Sequence, residues 1–278
     1  MKGLYCHAAV ASTFSPRFQA VICEGDRLAR RLDAPLSVIH GDRESEEKAQ
    51  RFREALASIH RSEETPILWA EDPSAAPAES ILTTCRQGGV DILLAGALER
   101  DNDHRFFLGG VARTLLQYAP CDLLLVTRPS EQETHFHHVV IEVTLANPLL
   151  HAIQKSLHVA QRIGAEKVTF ISVITPFDEV VAGSCSSRPH DEDWLIELLD
   201  PLTGFDGDVE TQIIRSTTGF GVCDFVQEVG ADLLIVIAQS ELAERRLPAH
   251  MDWLLQVIPT NVLLLAAQPS EREVVAAG

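Results

Sequence analysis

Along this chain, short stretches that are apolar at nearly every position alternate with longer ones in which apolar residues return every three or four positions. The first pattern belongs to strands buried on both faces, the second to helices with one apolar face. In the first half it predicts strands near 4–10, 36–40, 67–70, 90–95 and 122–127, with helices near 16–32, 44–60, 76–87 and 110–118. In the second half it predicts strands near 139–143, 167–174, 209–215, 232–238 and 261–266, with helices near 148–163, 191–199, 220–229 and 249–257. Strand–helix alternation calls for parallel strands joined by crossovers. The expected fold is therefore α/β, with an open, doubly wound, five-stranded parallel sheet in each half.

The two halves repeat one another. Segment 28–34 (LARRLDA) returns as 159–165 (VAQRIGA), 89–94 (GVDILL) as 230–235 (GADLLI), and 120–125 (PCDLLL) as 259–264 (PTNVLL). Their order is kept and their separation stays between 131 and 141 residues. Even the exits agree, with Pro-Ser-Glu at 129–131 and again at 269–271. The chain reads as a duplication, with domains at 1–132 and 133–278 and a polar linker near 128–135. The last strand of each half is a short apolar edge that needs cover, so the halves are expected to pair through 122–127 and 261–266 as an internal pseudo-dimer. A further homodimer is left open.

Composition narrows the function. The net charge of −17 repels nucleic acid and anionic membrane surfaces, so neither is expected as a partner. The six cysteines (Cys6, Cys23, Cys85, Cys121, Cys185 and Cys223) form no CxxC, which reads as small buried hydrophobes in a reducing compartment. Ala9-Val10-Ala11 has the look of a signal-peptidase site, but the apolar stretch before it is too short and is broken by His7. No run approaches the length of a membrane span. The expected location is the cytoplasm.

One stretch carries candidate chemistry. Asp91 leads an apolar strand into Gly96; a loop follows, then Gly109-Gly110 at a helix start, then Tyr118-Ala119-Pro120-Cys121 before the last strand. This segment resembles the signature of the universal stress protein family, and the resemblance extends to the second half through the repeat. It implies a five-stranded parallel sheet and, in many members, ATP or AMP at the strand ends. Those members carry G-x2-G-x9-G-[ST], in which glycines bring backbone N–H groups to phosphates and a helix N-terminus faces the anion. Here Gly96, Glu99, Gly109 and Gly110 occupy the motif positions at the right spacing, with glutamate for the second glycine and glycine for the final hydroxyl residue. A carboxylate about 5 Å from one phosphate charge costs roughly 3 kcal/mol at an effective dielectric of ~20. Two arrangements relieve that cost: Arg100, His104 and Arg105 in the same loop offset the charge, or Glu99 points to solvent.

In the second half Ile237, Ser240, Pro248 and Ala249 stand at the motif positions, and the intervening loop is seven residues against nine. A β-branched residue at the first position blocks close backbone approach, so ATP or AMP is expected in the first half only. Relatives that bind ATP also place an aspartate at the end of the first strand. Here that place holds Ser12 or its neighbours, and Thr144 in the second half.

Other candidates read as ordinary structure. His135, His137 and His138 straddle the linker and a strand, where alternation separates their directions; no metal is assigned. Cys185 and His190 lie in a Gly/Ser-rich loop, and Trp69, Trp194 and Trp253 read as packing residues. No pyrophosphatase loop, Walker loop or nucleophile elbow is present, so no catalytic residue is assigned. Three readings stand: a non-enzymatic stress-response protein that binds a small ligand or a partner; an ATP- or AMP-binding sensor acting through the first half; and an interaction scaffold with vestigial clefts.

Overall fold

A computed structural model describes residues 3–59, 65–72, 74–97, 108–144, 148–176, 192–217, 220–241 and 244–267. The chain divides into two compact units, residues 1–135 with 255–263, and residues 136–254 with 264–278.

In the first unit β1 (Ala8–Ala11), α1 (Phe18–Leu32), β2 (Leu36–His40), α2 (Glu46–Ser58), β3 (Ile67–Trp69), α3 (Pro77–Gln87), β4 (Ile92–Gly96), α4 (Gly110–Tyr118) and β5 (Asp122–Val126) follow in order. The strands lie as β3-β2-β1-β4-β5, every pairing parallel. Val10, Val38, Leu93 and Leu123 are fully buried, as strands covered on both faces require. The order reverses between β1 and β4, so a crevice opens at the carboxyl ends of these two strands.

The second unit contains β6 (His138–Glu142), α5 (Leu150–Ile163), β7 (Lys167–Ile174), α6 (Glu192–Leu199), β8 (Asp208–Arg215), α7 (Gly221–Glu228) and β9 (Leu233–Glu241). They are followed by β10 (Glu244–Arg246), a 3-10 helix (Ala249–Leu255) that ends at the boundary, and β11 (Asn261–Ala267), of which residues 264–267 belong to this unit. Its strands run β11-β9-β6-β7-β8, with β6 parallel to both β9 and β7, and β7 parallel to β8. The stretch read as a loop after β9 instead extends that strand to Glu241 and returns as antiparallel β10. The helix expected at 249–257 is a 3-10 helix ending at Leu255.

The duplication survives in local bonding. Asp91 accepts from the backbone N–H of Cys6 at 2.7 Å and of His7 at 3.0 Å; Asp232 accepts from that of His138 at 3.0 Å. His7 Nε2 pairs with Ser37 Oγ at 2.5 Å, and His138 Nε2 with Thr169 Oγ1 at 2.8 Å. Helices α1 and α5 both end on a left-handed residue, Asp33 at φ 55° and Gly164 at φ 81°. Glycine adopts that conformation freely, whereas aspartate is one of the few other residues to accept it.

A buried polar pair locks β5 into the first unit: Tyr5 donates its hydroxyl to Asp122 Oδ2 at 2.7 Å. Burial, and then the Asp122 carboxylate, hold the Tyr5 hydroxyl well above its usual range. The folded state therefore keeps a proton that the unfolded chain releases above pH ~10, and this contribution to stability is lost as pH rises beyond that point. Tyr5→Phe is expected to cost about 1–3 kcal/mol at neutral pH and to flatten the decline in urea midpoint above pH ~10. Elsewhere in the core, Cys23, Cys85, Cys121 and Cys223 are buried thiols outside any disulfide, whereas Cys6 is exposed. The neighbouring Cys121 thiol and burial push the Cys85 thiol far up.

Candidate functional site

At the carboxyl ends of β1 and β4 the first unit holds a cavity of about 250 Å³. Ser12 enters from the end of β1, Gly96 from the end of β4, and Gly109 and Gly110 from the start of α4. Val21, Ile81 and Leu115 form its apolar wall. These four of the seven candidate residues therefore share one site. Glu99, Arg100 and Arg105, like His104, lie outside the described residues.

Backbone bonds fix Ser12. Its N–H donates to Ile39 O at 3.0 Å, and its carbonyl pairs with His40 Nδ1 at 2.9 Å. Its hydroxyl is buried with no hydrogen-bond partner among the described residues. Buried hydroxyls are rarely left unpaired, and a guest in the cavity would satisfy this one. Helix α4 supplies the other donors. Gly109 caps it with extended backbone and spends its own N–H on Ala97 O at 3.1 Å. The N–H groups of Gly110, Val111 and Ala112 have no partner within the helix, and all three residues line the cavity. Their dipoles favour an anion.

The glycines at 96 and 110 are not explained by backbone or packing. Neither has a positive φ. A Cβ at Gly96 would meet only Val21 Cγ2, at an ordinary 3.5 Å, and one at Gly110 would meet nothing within 4 Å. Bare backbone facing a cavity serves close approach by something else.

The second unit departs at the same place. Register aligns Ala8 with Ile92 and Val139 with Leu233, and the repeat equates Ile92 with Leu233, so Glu142 stands where Ala11 stands. Ala11 lines the cavity, whereas Glu142 is a fully buried carboxylate. Its Oε1 accepts from Thr144 Oγ1 at 3.2 Å and pairs with His250 Nε2 of the 3-10 helix at 3.0 Å; Oε2 has no hydrogen-bond partner among the described residues. Ile237, standing where Gly96 stands, is buried. A buried acidic side chain thus sits where the first unit offers open space and amide donors. Sequence reasoning missed Glu142, although its place at the end of a predicted strand was a usable signal.

The remaining candidates are structural. His137 Nδ1 lies 3.0 Å from Glu166, and His138 bonds to Thr169. No group of three or more metal-ligating side chains occurs among the described residues. Trp69 packs in an aromatic cluster, Trp253 is buried beside Phe220, and Cys185 and His190 fall outside the described residues. No helix among the described residues is long and apolar enough to cross a membrane.

A parallel sheet whose strands alternate with helices, with a crevice at the strand ends, defines the open, doubly wound α/β class. Residues 5–127 match the model of the Universal stress protein family. They are a universal stress protein domain, and with the second α/β unit the chain fits a tandem arrangement of that family. Three solved structures share the fold over nearly the whole chain. A functionally unknown protein from Pseudomonas aeruginosa PAO1 is 13% identical, with a TM-score of 0.68 over 98% of this chain and 95% of its own. A putative universal stress protein from Pseudomonas aeruginosa UCBPP-PA14 is 14% identical, with a TM-score of 0.67 over 94% and 93%. A universal stress protein from Archaeoglobus fulgidus DSM 4304 is 10% identical, with a TM-score of 0.59 over 96% and 99%. No curated protein matches the chain.

Proposed function

We propose that this is a non-enzymatic, cytoplasmic stress-response protein that holds a small acidic ligand in its first domain (1–132), while its second domain (133–278) has given up the equivalent site. Family membership supports the stress-response role. The observation that carries the ligand reading is the buried, unpartnered Ser12 hydroxyl in a cavity that also receives the open end of α4. The buried Glu142 carboxylate supports the asymmetry, since it would repel an anion from the second crevice.

Mass spectrometry of the denatured full-length protein tests the reading, comparing wild type with Gly109→Asp. Gly109 is extended and caps α4, so aspartate fits the backbone and is itself a favoured cap. The variant should fold, but its carboxylate costs an anion roughly 3 kcal/mol, a loss of about a hundredfold. Wild type should release a small acidic compound that is missing from Gly109→Asp. Equal recovery from both proteins would place the ligand elsewhere.

A further inference from the structure

We infer that the cavity of the first unit takes a compact oxyanion of about the size of inorganic phosphate and is closed to nucleotides; this rests on reading the cavity as the ligand site. Three observations point the same way. The first is size. At about 250 Å³ the cavity lies at the lower edge of the ~300–1,000 Å³ that drug-sized ligands occupy, ample for one oxyanion group and tight for a whole nucleotide.

The second is what fills the neighbouring space. From β4 and α4, a nucleotide whose phosphates met the α4 amides would extend its base across β1 toward the ends of β2 and β3. Those ends are packed with rings. Phe14, set between the cavity residues Thr13 and Ser15, lies 4.9 Å from His40 and 4.8 Å from Phe52. His40 in turn lies 5.6 Å from Trp69 at the end of β3. Arg51 covers the Phe14 ring at 4.0 Å. Phe52 is fully buried and His40 nearly so, which leaves no slot for a base between them.

The third is the donor set. Ser12, Thr13 and Ser15 line the same small volume as the start of α4, and no acidic side chain lines the cavity among the described residues. Short-range donors of this kind suit one tetrahedral or planar oxyanion group, and the apolar wall of Val21, Ile81 and Leu115 leaves little polar surface for a ribose.

Calorimetric titration of the full-length protein with inorganic phosphate, AMP and ATP tests the inference. Phosphate should bind wild type at least tenfold more tightly than either nucleotide. Ser12→Ala should weaken phosphate about tenfold, the loss expected for a hydrogen bond to a charged group. Phe14→Ala should raise AMP affinity at least tenfold while leaving phosphate unchanged; Phe14→Leu, a milder opening that keeps the apolar contact, should move AMP the same way. AMP or ATP binding wild type as tightly as phosphate would overturn the inference, and a loss of that nucleotide in Ser12→Ala would leave the ligand site itself standing. Absence of any phosphate binding would also overturn it, the site then being judged separately by the ligand recovered from wild type and Gly109→Asp.

Discussion

Gly25→Ala is expected to destabilise the first unit by about 1–3 kcal/mol, the usual cost of overpacking a core. Taken as an isolated helix position the sign would be reversed, since alanine in place of glycine gains ~1 kcal/mol. Packing decides against it. Gly25 lies on α1 over the central strand β1, and a Cβ there would fall 1.7 Å from Val10 Cγ2 and 3.2 Å from Val10 Cβ. Val10 is fully buried between β2 and β4, opposite Val38 and Leu94, and its branched side chain has little freedom to turn away. Val10→Ala removes the obstructing methyl groups, so Gly25→Ala should be neutral or stabilising in that background. Urea unfolding of the four proteins forms a double-mutant cycle. A Gly25→Ala protein at least as stable as wild type, without the second change, would contradict the packing.

The buried carboxylate of the second unit gives the other large effect, and it is asymmetric. His250→Ala removes a partner from Glu142, which is fully buried and already has one oxygen unbonded among the described residues. Stripping a partner from a buried charge costs about 3–5 kcal/mol; with Thr144 still bonded to Oε1, a loss of about 3 kcal/mol is expected. Glu142→Leu removes the charge itself and fills the place with apolar volume, so it should be close to neutral or stabilising. Equal losses for the two substitutions in thermal or urea unfolding would mean that the carboxylate contributes favourably in its own right, against the reading of Glu142 as a costly occupant of the crevice.

Much of the fold was legible because parallel strands advertise themselves. The runs at 92–94 and 233–235 are apolar on both faces, and the helices between strands keep their periodicity. The left-handed end of α1 at Asp33 could be read through its repeat partner Gly164. The β9–β10 hairpin was not legible: its residues are polar, and an antiparallel return is set by backbone pairing rather than by an apolar pattern. The 3-10 helix was missed because the apolar spacing after Ala249 also fits an α-helix. In the candidate site, the resemblance to the family's glycine motif pointed to Gly96, Gly109 and Gly110, and the structure brings them to one place. The unpartnered Ser12 hydroxyl needed coordinates, because whether a hydroxyl finds a partner depends on neighbours far away in sequence. Glu142 was within reach, as the last residue of a strand that the apolar pattern predicts. Thr144, two residues on, was named as the counterpart instead.

The central claim is that the first unit, and not the second, is the ligand-bearing half. Backbone amide resonances of the full-length protein, followed by NMR during separate titrations with inorganic phosphate and AMP, test it most directly. Whichever compound binds, the largest shifts should fall on Ser12, Gly96, Gly109 and Gly110, with Ile237, Ala249 and His250 unmoved. Shifts concentrated on Ile237, Ala249 and His250, with the first unit silent, would contradict the account.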